Sequence, residues 1–147
     1  DAVRCGMLPY HSLESVMRQT FGATPVWDFI AATAALRRVS HRYERPLCGL
    51  RLGVANSEKL DGRHSSLVFN RLGEIVSQIL RETDLITATK DAIYALLPET
   101  DEETAQFAAR RIHAGVRKTL SDTLDLALDV FSEENIDDML LAVQSPK

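Results

Sequence analysis

Apolar positions along the 147-residue chain follow two periods, and the switching between them predicts the elements. Thr24-Pro25 reads as a cap with proline at the first helical position, and Val26, Phe29, Ile30, Leu36 and Val39 then recur at helical spacing to about Arg42. Pro46 ends that pattern. Leu47 to Ala55 reads as an aliphatic strand with Leu50, Leu52 and Val54 on one face. A polar loop, Asn56 to His64, leads into a second helix from about Ser65 to Glu82, carried by Val68, Leu72, Ile75, Val76 and Ile79. Ile86 on one side and Ile93, Tyr94, Leu96 and Leu97 on the other, with Thr87 to Asp91 between them, predict a hairpin.

Thr100 to Glu103 has the form of a capping box, opening a helix with Ala105, Ala108, Ala109, Ile112 and Val116 to about Lys118. Leu124, Leu126, Leu128 and Val130 alternate with Asp125, Ala127 and Asp129, the mark of a strand with one wet face. Ser132 then caps a closing helix that buries Ile136, Met139, Leu140 and Val143. This order predicts an α/β domain, residues 23–147, with helices packed on one central sheet. Residues 1–22 form an N-terminal extension or linker helix, with Ser12 as cap, Leu13, Val16 and Met17 on one face and Gly22 at its end.

Composition narrows the class. With 45% hydrophobic and 26% charged residues the chain is an ordinary globular domain, and no apolar run approaches the roughly 18 to 20 residues of a membrane span. A formal charge of −4 gives no footprint for polymeric nucleic acid, which is not expected as a partner, although clustered arginines can still hold a phosphate-bearing small molecule. Cys5 and Cys48 lack metal-ligand spacing and read as reduced thiols, which points to the cytoplasm. His11, His41, His64 and His113 show no spacing for metal or for a nucleophile and its base, and Trp27 and the other aromatics read as core. The chain begins at Asp1 without a leader, as expected of a domain cut from something longer whose other part holds a sensor or an output.

The stretch from Arg81 to Pro98 resembles the signature region of GGDEF domains, the diguanylate cyclase family. Arg81 and Asp84 match the R-x-x-D motif that precedes the family's hairpin, and Leu96-Leu97-Pro98 matches the end of its second strand. Pro98-Glu-Thr-Asp101 and Ala109-Arg-Arg-Ile112 are also similar to the family. The signature itself departs: Thr89-Lys90-Asp91-Ala92-Ile93 stands where Gly-Gly-Asp-Glu-Phe belongs. Gly53 and Ala55 stand where the first strand of active members carries metal-holding aspartates, and Ser65-Ser66 stands where the nucleotide loop has Gly-Asp. The resemblance covers about residues 24 to 143 and implies a GGDEF-like (nucleotidyl cyclase-like) fold, a central mixed β-sheet of about five strands flanked by helices.

A cyclase that joins two GTP molecules needs carboxylates to hold metal and glycines to admit the nucleotide backbone. Of the expected acids only Asp91 remains, so no catalytic residue, metal site or cofactor is expected, and the chain is not expected to be an enzyme. The R-x-x-D motif needs no metal. By the resemblance it forms a separate receptor site for cyclic di-GMP, with Arg81, Asp84 and a second guanidinium, Arg111, as ligand-binding residues and Arg110 as a possible addition. An arginine fork can bond guanine O6 and N7 or a phosphate, and a carboxylate can accept from the N1 and N2 hydrogens of guanine. An Arg and an Asp at one fixed spacing recur by chance about once in 250 positions, so the register against the hairpin carries the motif. Arg81 could equally complement a helix C-terminus, and Arg110 or Arg111 could pair with Glu102 or Glu103 on the surface.

The expected function is therefore an inactive GGDEF-like domain that serves as a cyclic di-GMP receptor in bacterial signalling of the biofilm kind, with a homodimer or a partner protein domain as receiver. The alternative is a ligand-free degenerate domain used for dimerisation or protein docking.

Overall fold

The computed structural model describes residues 23–54, 62–89, 92–119 and 126–144, with side chains from Leu67 onward in the second segment. The elements in chain order are α1 (Val26–Tyr43), β1 (Leu47–Val54), α2 (Gly62–Ile79), β2 (Leu85–Ala88), β3 (Ala92–Pro98), α3 (Glu102–Thr119), β4 (Leu126–Phe131), a short 3-10 turn (Glu133–Asn135) and α4 (Ile136–Gln144).

The strands form one sheet in the order β2-β3-β1-β4, and each neighbouring pair is antiparallel. The expected α/β architecture is present, with four strands among the described residues instead of about five. Among the described residues the sheet is antiparallel throughout, not mixed, for a topological reason. β1-α2-β2 and β3-α3-β4 are both split units, in which the crossover skips one strand position and a later or earlier strand fills the gap. Two parallel strands are therefore never neighbours.

Period-2 alternation sorts the side chains into two cores. Cys48, Leu50, Leu52 and Val54 of β1 and Ile93, Ala95 and Leu97 of β3 face α2 and α3, where Leu72, Val76, Ala105, Ala109, Ile112 and Val116 meet them. Leu47, Ala92, Tyr94 and Leu96 face the other way, against Phe29 of α1 and Ile136, Met139 and Val143 of α4. α4 comes very close to β1 at Gly49, where an added Cβ would lie 2.5 Å from Met139 Sδ and 2.9 Å from its Cε.

Several ends differ from expectation. Thr24 does not cap α1. Its N–H donates to Ile86 O (2.6 Å) and its carbonyl accepts from Thr87 Oγ1 (2.7 Å), so it is spent on the edge of β2, and Pro25 is the cap residue. Thr100 does not cap α3, because its hydroxyl donates to Pro98 O (3.0 Å), while Asp101 Oδ1 accepts from the Thr104 N–H at 2.8 Å. Ser132 precedes the 3-10 turn, not α4 itself, and makes no side-chain cap bond. α2 spans Gly62–Ile79 instead of running to Glu82, so Arg81 and Asp84 lie in a turn beyond its end, closed by Asp84 N–H donating to Arg81 O (3.0 Å).

The reading of the aromatics as core holds for Phe29 and Tyr94 and fails for Trp27, Tyr43 and Phe107, which are 75%, 61% and 56% exposed. α1 buries only Phe29, Thr33 and Ser40, because it shares its side of the sheet with α4. Cys48 is a free, buried thiol. Cys5, His11, the hairpin residues Lys90 and Asp91, and the extension 1–22 lie outside the described residues. No helix among the described residues is long and apolar enough to cross a membrane.

Candidate functional site

Beyond the last turn of α2 the chain reverses at Arg81–Asp84 to enter β2, and the far end of β3 returns beside it at Pro98. Asp84 fixes this corner. Its side chain is 3% exposed, and its Oδ2 accepts the Arg81 backbone N–H at 2.8 Å. The same carboxylate holds the Arg81 guanidinium side-on, with Nη2 to Oδ1 at 3.1 Å and Nε to Oδ2 at 3.5 Å. Arg81 Nη2 also donates to Pro98 O (2.8 Å) and Thr100 Oγ1 (2.7 Å). One side chain thus ties the exit of α2, the end of β3 and the entry of α3. Nη1 is left with no acceptor among the described residues, on a side chain 54% exposed.

A crevice of about 140 Å³ opens at this corner. Arg81, Asp84 and Arg111 all line it, together with Thr100, Thr104 and Phe107. Arg111 is exposed and has no ion pair among the described residues. The three residues singled out by sequence are therefore brought together. Arg110 is not with them: it stacks over the Phe107 ring at 5.9 Å and lines separate clefts with His113. This follows from the 100° step of a helix, which turns adjacent residues to different faces.

Sequence reasoning missed Phe107, Thr100 and the Pro98 carbonyl. Phe107 was findable, because it lies off the stripe Ala105, Ala109, Ile112 and Val116 and had to face outward. The ring is 56% exposed at the edge of the crevice, with Arg110 over it, and an exposed ring is a surface on which a base can stack. The Pro98 carbonyl left no signal, since it is placed by the meeting of elements distant in sequence.

The hairpin side of the sheet is different. β1 carries Arg51 between Gly49 and Gly53 on the α1/α4 face, in register with Tyr94 of β3 and Asp129 of β4. Arg51 Nε donates to Tyr94 Oη at 3.3 Å, and Nη1 lies 3.7 Å from Asp129 Oδ2. The guanidinium extends along the strand over Gly53, its Nη1 only 3.2 Å from where a Cβ at that position would be. Among the described residues no three His, Cys, Asp or Glu side chains are grouped so as to hold a metal ion.

No family model matches the sequence, and no curated protein matches it. Solved structures do match in fold. The GGDEF domain of TpbB (YfiN) from Pseudomonas aeruginosa superposes with a TM-score of 0.68 at 15% identity, over 84% of this chain and 85% of that one. The diguanylate cyclase SiaD of Pseudomonas aeruginosa, solved with its activator SiaC, gives 0.71 at 16% identity over 89% of this chain and 58% of SiaD. The GGDEF domain of DgcB from Caulobacter crescentus, solved in complex with c-di-GMP, gives 0.69 at 8% identity over 84% of each chain. The chain has the GGDEF-like fold.

Proposed function

We propose that this GGDEF-like domain is catalytically silent and acts as a cytoplasmic cyclic di-GMP receptor in second-messenger signalling of the biofilm kind, with a second copy or an attached protein domain as the receiver. The observation that carries the reading is the convergence of Arg81, Asp84 and Arg111 on one crevice beside an exposed Phe107. Arg81 and Arg111 would face the ligand's guanine edges and phosphates, Phe107 would take a base on its ring, and Asp84 would hold Arg81 at the right angle. Silence as a cyclase is supported on the other side of the sheet. Gly53 offers no carboxylate, and Arg51 already lies over it, so a cation of the protein's own occupies the neighbourhood that metal chemistry would need.

The test is titration calorimetry of cyclic di-GMP into the protein, with Arg81→Ala and Arg111→Ala variants checked for folding by circular dichroism. Saturable binding, weakened at least about tenfold in each variant, is the expected result. Incubation with GTP and Mg²⁺ or Mn²⁺ should yield no cyclic dinucleotide. No binding to the parent protein would end the receptor reading, and measurable product would end the claim of silence.

A further inference from the structure

α1 turns Phe29, Thr33 and Ser40 toward the sheet, and its outer face carries large apolar side chains that stay exposed. Trp27, Val39 and Tyr43 are 75%, 46% and 61% exposed, three of the six large hydrophobic side chains so exposed among the described residues. A single unpaired aromatic on a surface is ordinary. Val39 and Tyr43 lie one turn apart at one margin of the outer face and Trp27 lies at the other, so the face between them is flanked by apolar side chains.

The arrangement of that face is self-complementary. Ala35 is exposed at the middle of the outer stripe. Counting outward from it in both directions, Ala31 and Val39 are equidistant, as are Asp28 and Arg42, and Trp27 and Tyr43. Steps of three and four residues keep Asp28, Ala31, Ala35 and Arg42 on one side of the helix. A second α1, antiparallel and related by a two-fold axis at Ala35, therefore sets Asp28 near Arg42 of the partner subunit at the centre of the face, with Trp27 and Tyr43 on its two opposite margins. Each contact occurs twice, as an isologous interface requires. A parallel pairing would set Asp28 against Asp28 of the partner subunit and Arg42 against its like, so the charges select the antiparallel one. Neither Asp28 nor Arg42 has an ion pair among the described residues, and Arg42 makes only a contact with the ring of Tyr43, 5.6 Å from its centroid. Small side chains at Ala31 and Ala35 let two helix axes approach to about 8 Å, the close end of helix packing.

We propose that the outer face of α1 is the seat of a second copy of this chain, in an antiparallel α1 pair centred on Ala35. The proposal specifies the homodimer named above but does not depend on the ligand, because the Arg81 crevice lies among α2, α3 and the opposite side of the sheet.

The experiment is sedimentation equilibrium of the whole chain without nucleotide, read together with the fluorescence of Trp27, the sole tryptophan. A reversible dimer is expected, with the emission of Trp27 shifting to the blue as protein concentration rises. Arg42→Asp, which sets carboxylates against Asp28, should weaken the dimer roughly tenfold or more, and Asp28→Arg added to it should restore association. Both positions are exposed, so the fold should survive, as circular dichroism will check. A protein that stays monomeric to about 100 µM, where even a weak specific dimer shows, overturns the proposal. So does a dimer indifferent to Arg42→Asp, or one that the double reversal fails to restore. A monomer that dimerises only after removal of residues 1–22 overturns it too, since the chain's own extension would then be the occupant of this face.

Discussion

Asp84 grips Arg81 twice, through the backbone N–H at 2.8 Å and through the guanidinium at 3.1 Å, and so sets the direction in which the arginine's unpaired Nη1 points. The carboxylate is 3% exposed and the guanidinium 54%. Their roles are therefore unequal. In the proposed receptor Arg81 would meet the ligand, whereas Asp84 meets Arg81.

Asp84→Ala should accordingly cost stability as well as binding. Removing the buried acceptor leaves the Arg81 N–H without its partner, a loss of about 1–3 kcal/mol, measurable by urea denaturation. Arg81→Ala should cost less stability and more affinity. Equal effects of the two substitutions on both measurements would contradict this division.

The close approach of α4 to β1 gives a second expectation. Gly49→Ala forces the end of the buried Met139 side chain out of its place, at about 1–3 kcal/mol. Met139→Ala on its own opens a cavity. The double variant should then be less destabilised than the two singles together, because the new methyl enters the space the thioether has left. Strict additivity in denaturation midpoints would mean that the two positions do not compete for space.

At the start of α3, the Asp101 carboxylate is held below its ordinary value of 3.8, first by the hydrogen bond from the Thr104 backbone N–H. A group whose pKa is lower in the folded than in the unfolded chain stabilises the fold above the unfolded value, and the contribution fades as pH falls through the folded one. Asp101→Ala should lower the melting temperature near neutral pH, and the gap from the parent should close in acid. A gap that stays constant as the pH is taken from neutrality well below the ordinary value of 3.8 would show that the cap bond is not responsible.

Burial pushes the Cys48 thiol from 9.0 up to about 11, with the charges of Glu102 and Asp101 adding to it. The folded thiol resists ionisation while the unfolded one does not, so this group's contribution to stability is intact below pH 9 and falls away between 9 and 11. In a Cys5→Ser background, iodoacetamide at neutral pH should label Cys48 only as fast as the protein opens. Labelling that is rapid in the native protein would contradict the burial.

Much of the fold was legible because β1 and β4 alternate with period 2, β3 is a short apolar run after a polar turn, and the helices carry apolar stripes. Leu50, Leu52 and Val54 share a face as expected, and Arg81, Asp84 and Arg111 meet. The failures have a common cause. Thr24, Thr100 and Ser132 have the chemistry of caps, but the hydroxyl of a short side chain bonds whatever the tertiary fold brings nearest. For Thr100 that was the Pro98 corner, while Thr24 is held at β2 by its backbone, its N–H on Ile86 O and its carbonyl under the Thr87 hydroxyl. Trp27 was misread because composition assigns large aromatics to the core, whereas the sheet offers α1 only part of one face. The strand order likewise had no local signal, since the two split crossovers are a property of the assembled sheet.

That strand order also bears on how the chain reaches its fold. β2 and β3 are joined by a short connection and can pair within about 1–10 µs of hairpin formation. β1 is made before either of them, yet its neighbours are β3 and β4: Leu50 lies opposite Ala95 and Val130. This strand must therefore wait with both edges open until β3 has been made through Pro98, and with one edge open until the chain has passed Phe131. Closing such distant contacts is slow, and during synthesis it is β1, rather than any segment near the crevice, that most needs protection from pairing with the wrong chain.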